Sequence, residues 1–132
     1  RIPQCPPDAA SNKTSQAFRI VHNPICAKSF LPPGKISPKR MQNDRDSSEV
    51  KCSMLALSLF STKEKAIRHF SQLEKKFKNI HKRIGNYIAE GTVYPKDGLQ
   101  TTPSQKGHFD LYESSSAKLE EQFQIIEQVG GN

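Results

Sequence analysis

Between Ala66 and Ile84 apolar residues return every three or four positions. At about 100° per residue, Ala66, Phe70, Leu73, Phe77, Ile80 and Ile84 share one narrow face, while Arg68, Lys75, Lys78 and Lys82 fall opposite. The pattern predicts one amphipathic helix over about 62–84, with a core side and a cationic stripe. Ser61 followed by Glu64 has the spacing of a capping box at its start, and Gly85 is placed to end it. Elsewhere the period shortens to two. "AFRIVH" (17–22) alternates and is stopped by Asn23-Pro24, and "MLALSLFS" (54–61) is a compact apolar run suited to a buried strand. "NYIAEGTVY" reads as a strand that ends at the turn "PKDG", and "GHFDLYES" (107–114) as another. A short helix near 116–121 and a final strand "FQIIEQV" follow, with one continuous helix over 117–129 as the competing reading.

Two stretches have no period. Residues 1–16 are rich in Pro and small polar residues and read as an extended or disordered lead-in. Residues 25–51 are broken repeatedly by Pro, Gly and charge and read as a long Pro-rich loop, anchored to the core by Phe30 and Leu31. The expected fold is therefore one α+β domain over 17–132: a curved, mostly antiparallel sheet of four to six strands with one prominent helix packed on it.

Composition adds a polarity. The net charge of +7 divides into +5 for residues 1–60, +6 for 61–86 and −4 for 87–132. A positive front and an acidic tail suit a polyanionic partner, either nucleic acid or an acidic protein, gripped through Arg68, Lys75, Lys78 and Lys82. A lysine-rich face is also what any solvated helix presents. Phe70 and Phe77 are expected in the core and so are not available to stack on bases. No apolar run approaches the roughly 18 to 20 residues that cross a bilayer, so no membrane association is expected. Cys5, Cys26 and Cys52 are odd in number and lack Cys-x-x-Cys spacing, which predicts reduced thiols in a cytoplasmic protein. His22, His69, His81 and His108 have no ligand spacing, and no metal is expected. No phosphate-binding glycine loop of the Walker or dinucleotide type occurs.

For an enzyme, polar residues from separate elements must converge. The candidates are Arg19 and His22 on the first strand, Ser58, Ser61 and Thr62 around the second, Glu90 on the third, and His108 and Tyr112 on the fourth. The block order "FRIVHNP", "FLPP", "LSLFSTKEKA", "GNYIAEGTVYP" and "GHFDLY" resembles that of a group of small bacterial proteins. More distantly, a strand with Arg, a strand with Ser and a strand with Glu resemble the ADP-ribosyltransferase-like fold, including toxins of the Arg-Glu-Ser type. That resemblance implies NAD as substrate and a toxin or defence effector. It implies Arg19 with His22 holding the dinucleotide, Ser58 or Ser61 supporting the site, and Glu90 as the acid, with Glu113 as second choice. Ser61 and Tyr112 would line the cofactor side, and His108 would join Ser58 and Glu90 in catalysis. Such a carboxylate is needed because the departing nicotinamide leaves an oxocarbenium-like sugar.

Overall fold

The computed structural model describes residues 4–43 and 46–130; the first three residues of the expected lead-in, two within the 25–51 span and the last two lie outside them. Six strands form one antiparallel sheet: β1 (Ser15–Val21), β2 (Leu57–Phe60), β3 (Tyr87–Val93), β4 (Gly98–Gln100), β5 (His108–Glu113) and β6 (Phe123–Gln128), in the order β4-β5-β2-β1-β3-β6. Four helices accompany them among the described residues: α1 (Pro33–Ile36), α2 (Ser48–Ser53), α3 (Lys63–Lys76) and α4 (Ile80–Ile84). The α+β class follows directly.

Alternation along each strand sorts the side chains onto two faces. Ala17 and Val21 of β1, Leu57 and Leu59 of β2, Ala89 and Val93 of β3, and Phe109 and Leu111 of β5 bury one face, closed by Phe30, Leu119 and Phe123. Phe18, Phe60 and Ile88 bury the other, closed by Ala66, Phe70 and Ile80. The final segment is a strand: β6 pairs with β3, so strand pairing decides against a helix over 117–129, and only the turn Leu119–Glu121 is helical. β4 has no counterpart among the elements expected from sequence, because three residues carry no usable alternation.

α3 starts at Thr62, whose side chain accepts from the Lys65 amide, so the cap sits one residue after Ser61. Glu64 in its first turn and Lys75 and Lys76 in its last match the helix dipole. The helix does not run unbroken to residue 84. Phe77 takes an extended conformation and Asn79 a left-handed one (φ 58°), and α4 then restarts on a new axis. The break corrects one expected core position: Phe77 turns outward and is 45% exposed, whereas Ile80 is brought back to the sheet and buried. At the end of α4, Gly85 (φ 89°) lies so close to β1 that a Cβ would sit 2.1 Å from the Val21 carbonyl oxygen.

The 25–51 span carries α1, α2 and 3-10 turns at Ala27–Phe30 and Pro38–Gln42, and it packs Phe30 into the core. Ahead of β1, Ser11 bridges Gln100 and Asn12 donates to the carbonyls of Pro95 and Gly98. Cys5 is joined to Cys52 in a disulfide, which corrects the expectation of reduced thiols; only Cys26 is free, and it is exposed. The partners lie 47 residues apart, in a proline-rich segment and on α2, a pairing that spacing alone does not reveal. Among the described residues, no helix is long and apolar enough to cross a membrane.

Candidate functional site

The strands β1 and β3 pair along the whole of β1, but β1 and β2 meet only at Phe18 and Phe60. Beyond that pair the two central strands diverge. Arg19 occupies the gap: its Nε donates to the Ser29 carbonyl (2.8 Å) and its Nη1 to the Ser58 carbonyl (2.9 Å), and its guanidinium lies 5.8 Å from the Phe30 ring centre. The side chain therefore bridges two strands where backbone pairing fails. Burial, with a smaller opposing effect from Glu113, brings the Arg19 pKa down to about 10, so it is charged at neutral pH.

The divergence opens a cavity of about 450 Å³ that runs from one sheet face to the other. Arg19, Lys28 and Arg83 supply its cations, His22 adds an imidazole, and Leu31, Phe60 and Leu73 are among its apolar walls. A second cavity of about 380 Å³ adjoins it, the two sharing Ser58, Phe60, His69 and Leu73. Lys76, Lys106, Ser104, Gln72 and His108 complete the second. Among the described residues, no carboxylate lines either lobe. The pair forms a cation-rimmed cleft with Ser58 at the junction.

At that junction, His108 Nε2 is 3.0 Å from Ser58 Oγ and 3.5 Å from Asp110 Oδ1. Strand register explains the meeting: Phe60 pairs with His108 and Ser58 with Asp110, so all four side chains share the α3 face. Asp110 Oδ2 accepts from Ser53 Oγ (3.1 Å), whereas its buried Oδ1 makes no hydrogen bond among the described residues. Burial pushes the Asp110 carboxyl up, against the smaller lowering effects of His108 and Ser53. Serine and acid both approach the same ring nitrogen. A serine-protease arrangement needs them on opposite nitrogens, so Ser58 is not set up as that kind of nucleophile. The group can instead hold a proton beside whatever occupies the junction.

The other predicted residues separate. His22 lines the first lobe, with Nε2 3.4 Å from the Arg83 carbonyl. Glu90 lines neither lobe; it pairs in register with Phe18 and accepts from Gln16 Nε2 (2.6 Å). Ser61 is used at the end of β2, where its amide donates to the Gly107 carbonyl, and Tyr112 lies with its hydroxyl 3.3 Å from Cys52 Sγ. Neither lines the cleft. Glu113 also lies outside both lobes, but alternation puts it on the sheet face of Leu111 and Arg19. Burial raises its pKa, while Lys35 and Arg19 pull it down. Its charge acts on Arg19, although its side chain, like that of Glu90, lies outside both lobes. Arg68, Lys75, Lys78 and Lys82 are all exposed, as the stripe requires, and none forms an ion pair among the described residues.

Sequence reasoning missed His69, Asp110, Lys76 and Lys106. His69 had the strongest signal, one helical turn from Leu73 and Ala66. Its ring lies 5.0 Å from that of Phe60, and burial first, then the charges of His108 and Lys106, hold its imidazole below the ordinary histidine range. The unfolded chain therefore binds a proton at His69 more readily than the folded one. Stability associated with it is complete above the ordinary histidine pKa and is lost as pH falls. His69→Gln is expected to flatten the fall in melting temperature between about pH 7 and pH 5. A pH series of thermal melts on both proteins checks this, and parallel curves would refute it.

Among the described residues, no group of three or more His, Cys, Asp or Glu side chains could hold a metal ion. In comparisons with known proteins, the chain matches no family model, no curated protein and no solved structure.

Proposed function

We propose that this chain is a small ADP-ribosyltransferase-like enzyme that takes NAD as its substrate. The observation that carries this reading is the cleft at the divergence of β1 and β2, where Arg19 and Ser58 come together in a lobe that no carboxylate lines among the described residues. A dinucleotide is an anionic diphosphate between flat rings. Arg19, Lys28 and Arg83 answer the diphosphate, while Phe60, Leu31 and Leu73 offer apolar surface to the rings. Glu113, in the field of Arg19, is the acid assigned to the developing sugar charge in place of Glu90. The toxin or defence role belongs to this same reading. The Cys5–Cys52 disulfide favours an oxidising compartment over the cytoplasm that the cysteine spacing suggested. The direct test is to incubate the purified chain with millimolar NAD and follow nicotinamide by chromatography. Absence of both nicotinamide release and an NAD-dependent shift in melting temperature would remove the reading.

A second reading, a non-catalytic module for nucleic acid or an acidic protein, is favoured by the four exposed cations of the stripe. It predicts that Lys75→Glu/Lys78→Glu/Lys82→Glu abolishes binding of generic RNA or DNA in a gel shift. The wild-type affinity should fall steeply with salt, by about one decade of affinity per decade of salt for each phosphate neutralised. Salt-independent binding, or an unaffected triple variant, would exclude the stripe as the binding surface.

A further inference from the structure

The second lobe lies beside the lobe assigned to NAD and shares the wall of Ser58, Phe60, His69 and Leu73 with it. Two lysines from unrelated parts of the chain flank it. Lys76 comes from the last turn of α3, and Lys106 from the segment between β4 and β5, with the Ser104 hydroxyl on the same lining. Among the described residues, no acidic side chain lines it to neutralise them. Such a lobe suits an anion carried by something larger.

What that carrier is can be read from α3. At about 100° per residue, Lys75, Arg68, Gln72, Lys76 and His69 follow one another around a single arc of the helix. Gln72, Lys76 and His69 line the lobe, whereas Arg68 and Lys75 continue the arc over exposed surface. The arc therefore leads from open solvent into the cleft without crossing an acidic side chain of the helix. A strand of evenly spaced phosphates can follow it with one nucleotide reaching the junction. The geometry points to a nucleic-acid strand as the acceptor of the ADP-ribosyl group, held in the second lobe by Lys76 and Lys106 beside the NAD lobe. This inference rests on the proposed NAD reading and names its acceptor.

The step balances without a further reagent. The bond between C1′ of the ribose and the nicotinamide nitrogen breaks, and neutral nicotinamide leaves with the electron pair. A nucleophilic O–H or N–H of the nucleotide forms the new bond to C1′, and its proton passes to His108 Nε2. Asp110 Oδ1, 3.5 Å from that nitrogen and without a hydrogen bond among the described residues, steadies the imidazolium that results. NAD and the acceptor thus give nicotinamide, ADP-ribosylated acceptor and one proton.

The full chain is incubated with NAD labelled in the ADP-ribose half, in separate reactions with single-stranded RNA, single-stranded DNA and an acidic protein such as casein. Nicotinamide release and transferred label are measured in each. The expected result is label on an oligonucleotide, with the labelled product per nicotinamide released falling about tenfold or more in Lys76→Glu/Lys106→Glu. Lys118→Glu, an equal charge reversal outside both lobes, should leave that ratio within roughly twofold of wild type. Both lysines of the double variant are exposed, and circular dichroism verifies its fold. Nicotinamide release with label only on casein or in free ADP-ribose would overturn the acceptor assignment while sparing the NAD reading. An unchanged ratio in the double variant would overturn the assignment of the second lobe. Absence of nicotinamide release with every acceptor would overturn the NAD reading and the acceptor assignment together.

Discussion

Phe70→Ala is expected to lower the unfolding free energy by about 3–5 kcal/mol, a large share of what a domain of this size possesses. Phe70 is 1% exposed and lies in the cluster formed with Phe18, Phe60, Ile80, Ile88 and Val129. Its truncation removes the largest buried side chain that α3 sends to the sheet and leaves a cavity that the pleated backbone is poorly able to close. Phe77→Ala is the internal control. Phe77 lies beyond the end of α3 and faces water, so its truncation should cost about 0.5 kcal/mol or less. Urea unfolding of the two variants separates the cases by the midpoint shift at constant slope. Similar shifts for both would mean that the helix packs in another way.

The second large effect is functional. On the proposed NAD reading, Glu113→Gln should reduce nicotinamide release about 100-fold or more, the size of effect associated with removing one group that stabilises transition-state charge. Glu90→Gln should leave the rate within about twofold of wild type, as expected for a side chain away from the chemistry. The contrast comes from strand parity. Glu113 continues the face of Leu111 and exchanges field with Arg19, whereas Glu90 shares the Phe18 face and is held by Gln16. Glutamine preserves shape, and thermal melts of both variants separate a loss of rate from a loss of fold. Equal loss in both variants, or none in either, would leave the ADP-ribosyltransferase reading without its acid.

The long-period features of this fold were readable because they are written in side-chain polarity. The 66–84 pattern locates the helical layer, and alternation finds β1 and β5, because one-sided burial imposes its period on the residues; β3, of mixed parity, is bounded by Gly85 and the PKDG turn. Breaks depend on single backbone choices instead. Phe77 has the right spacing for the core and fails because α3 ends at Lys76 and Phe77 itself takes an extended conformation. The site was legible in part: Arg19, His22, Ser58 and His108 were named from strand positions, and all four line the cleft. Asp110, Lys76 and Lys106 were not, since their approach depends on register and on how the 101–107 segment folds back. That Glu90 shares the Phe18 face likewise depends on the pairing of β1 with β3, which no local pattern encodes.

The cross-link from Cys5 to Cys52 ties the proline-rich opening of the chain to α2, beside the β2–β5 half of the sheet. Closing a loop of 47 residues removes unfolded-state freedom equivalent to about 4 kcal/mol in the chain-entropy description. Breaking the bond returns that freedom to the unfolded chain, so thermal melts with and without a thiol reductant are expected to differ by a stability of that order.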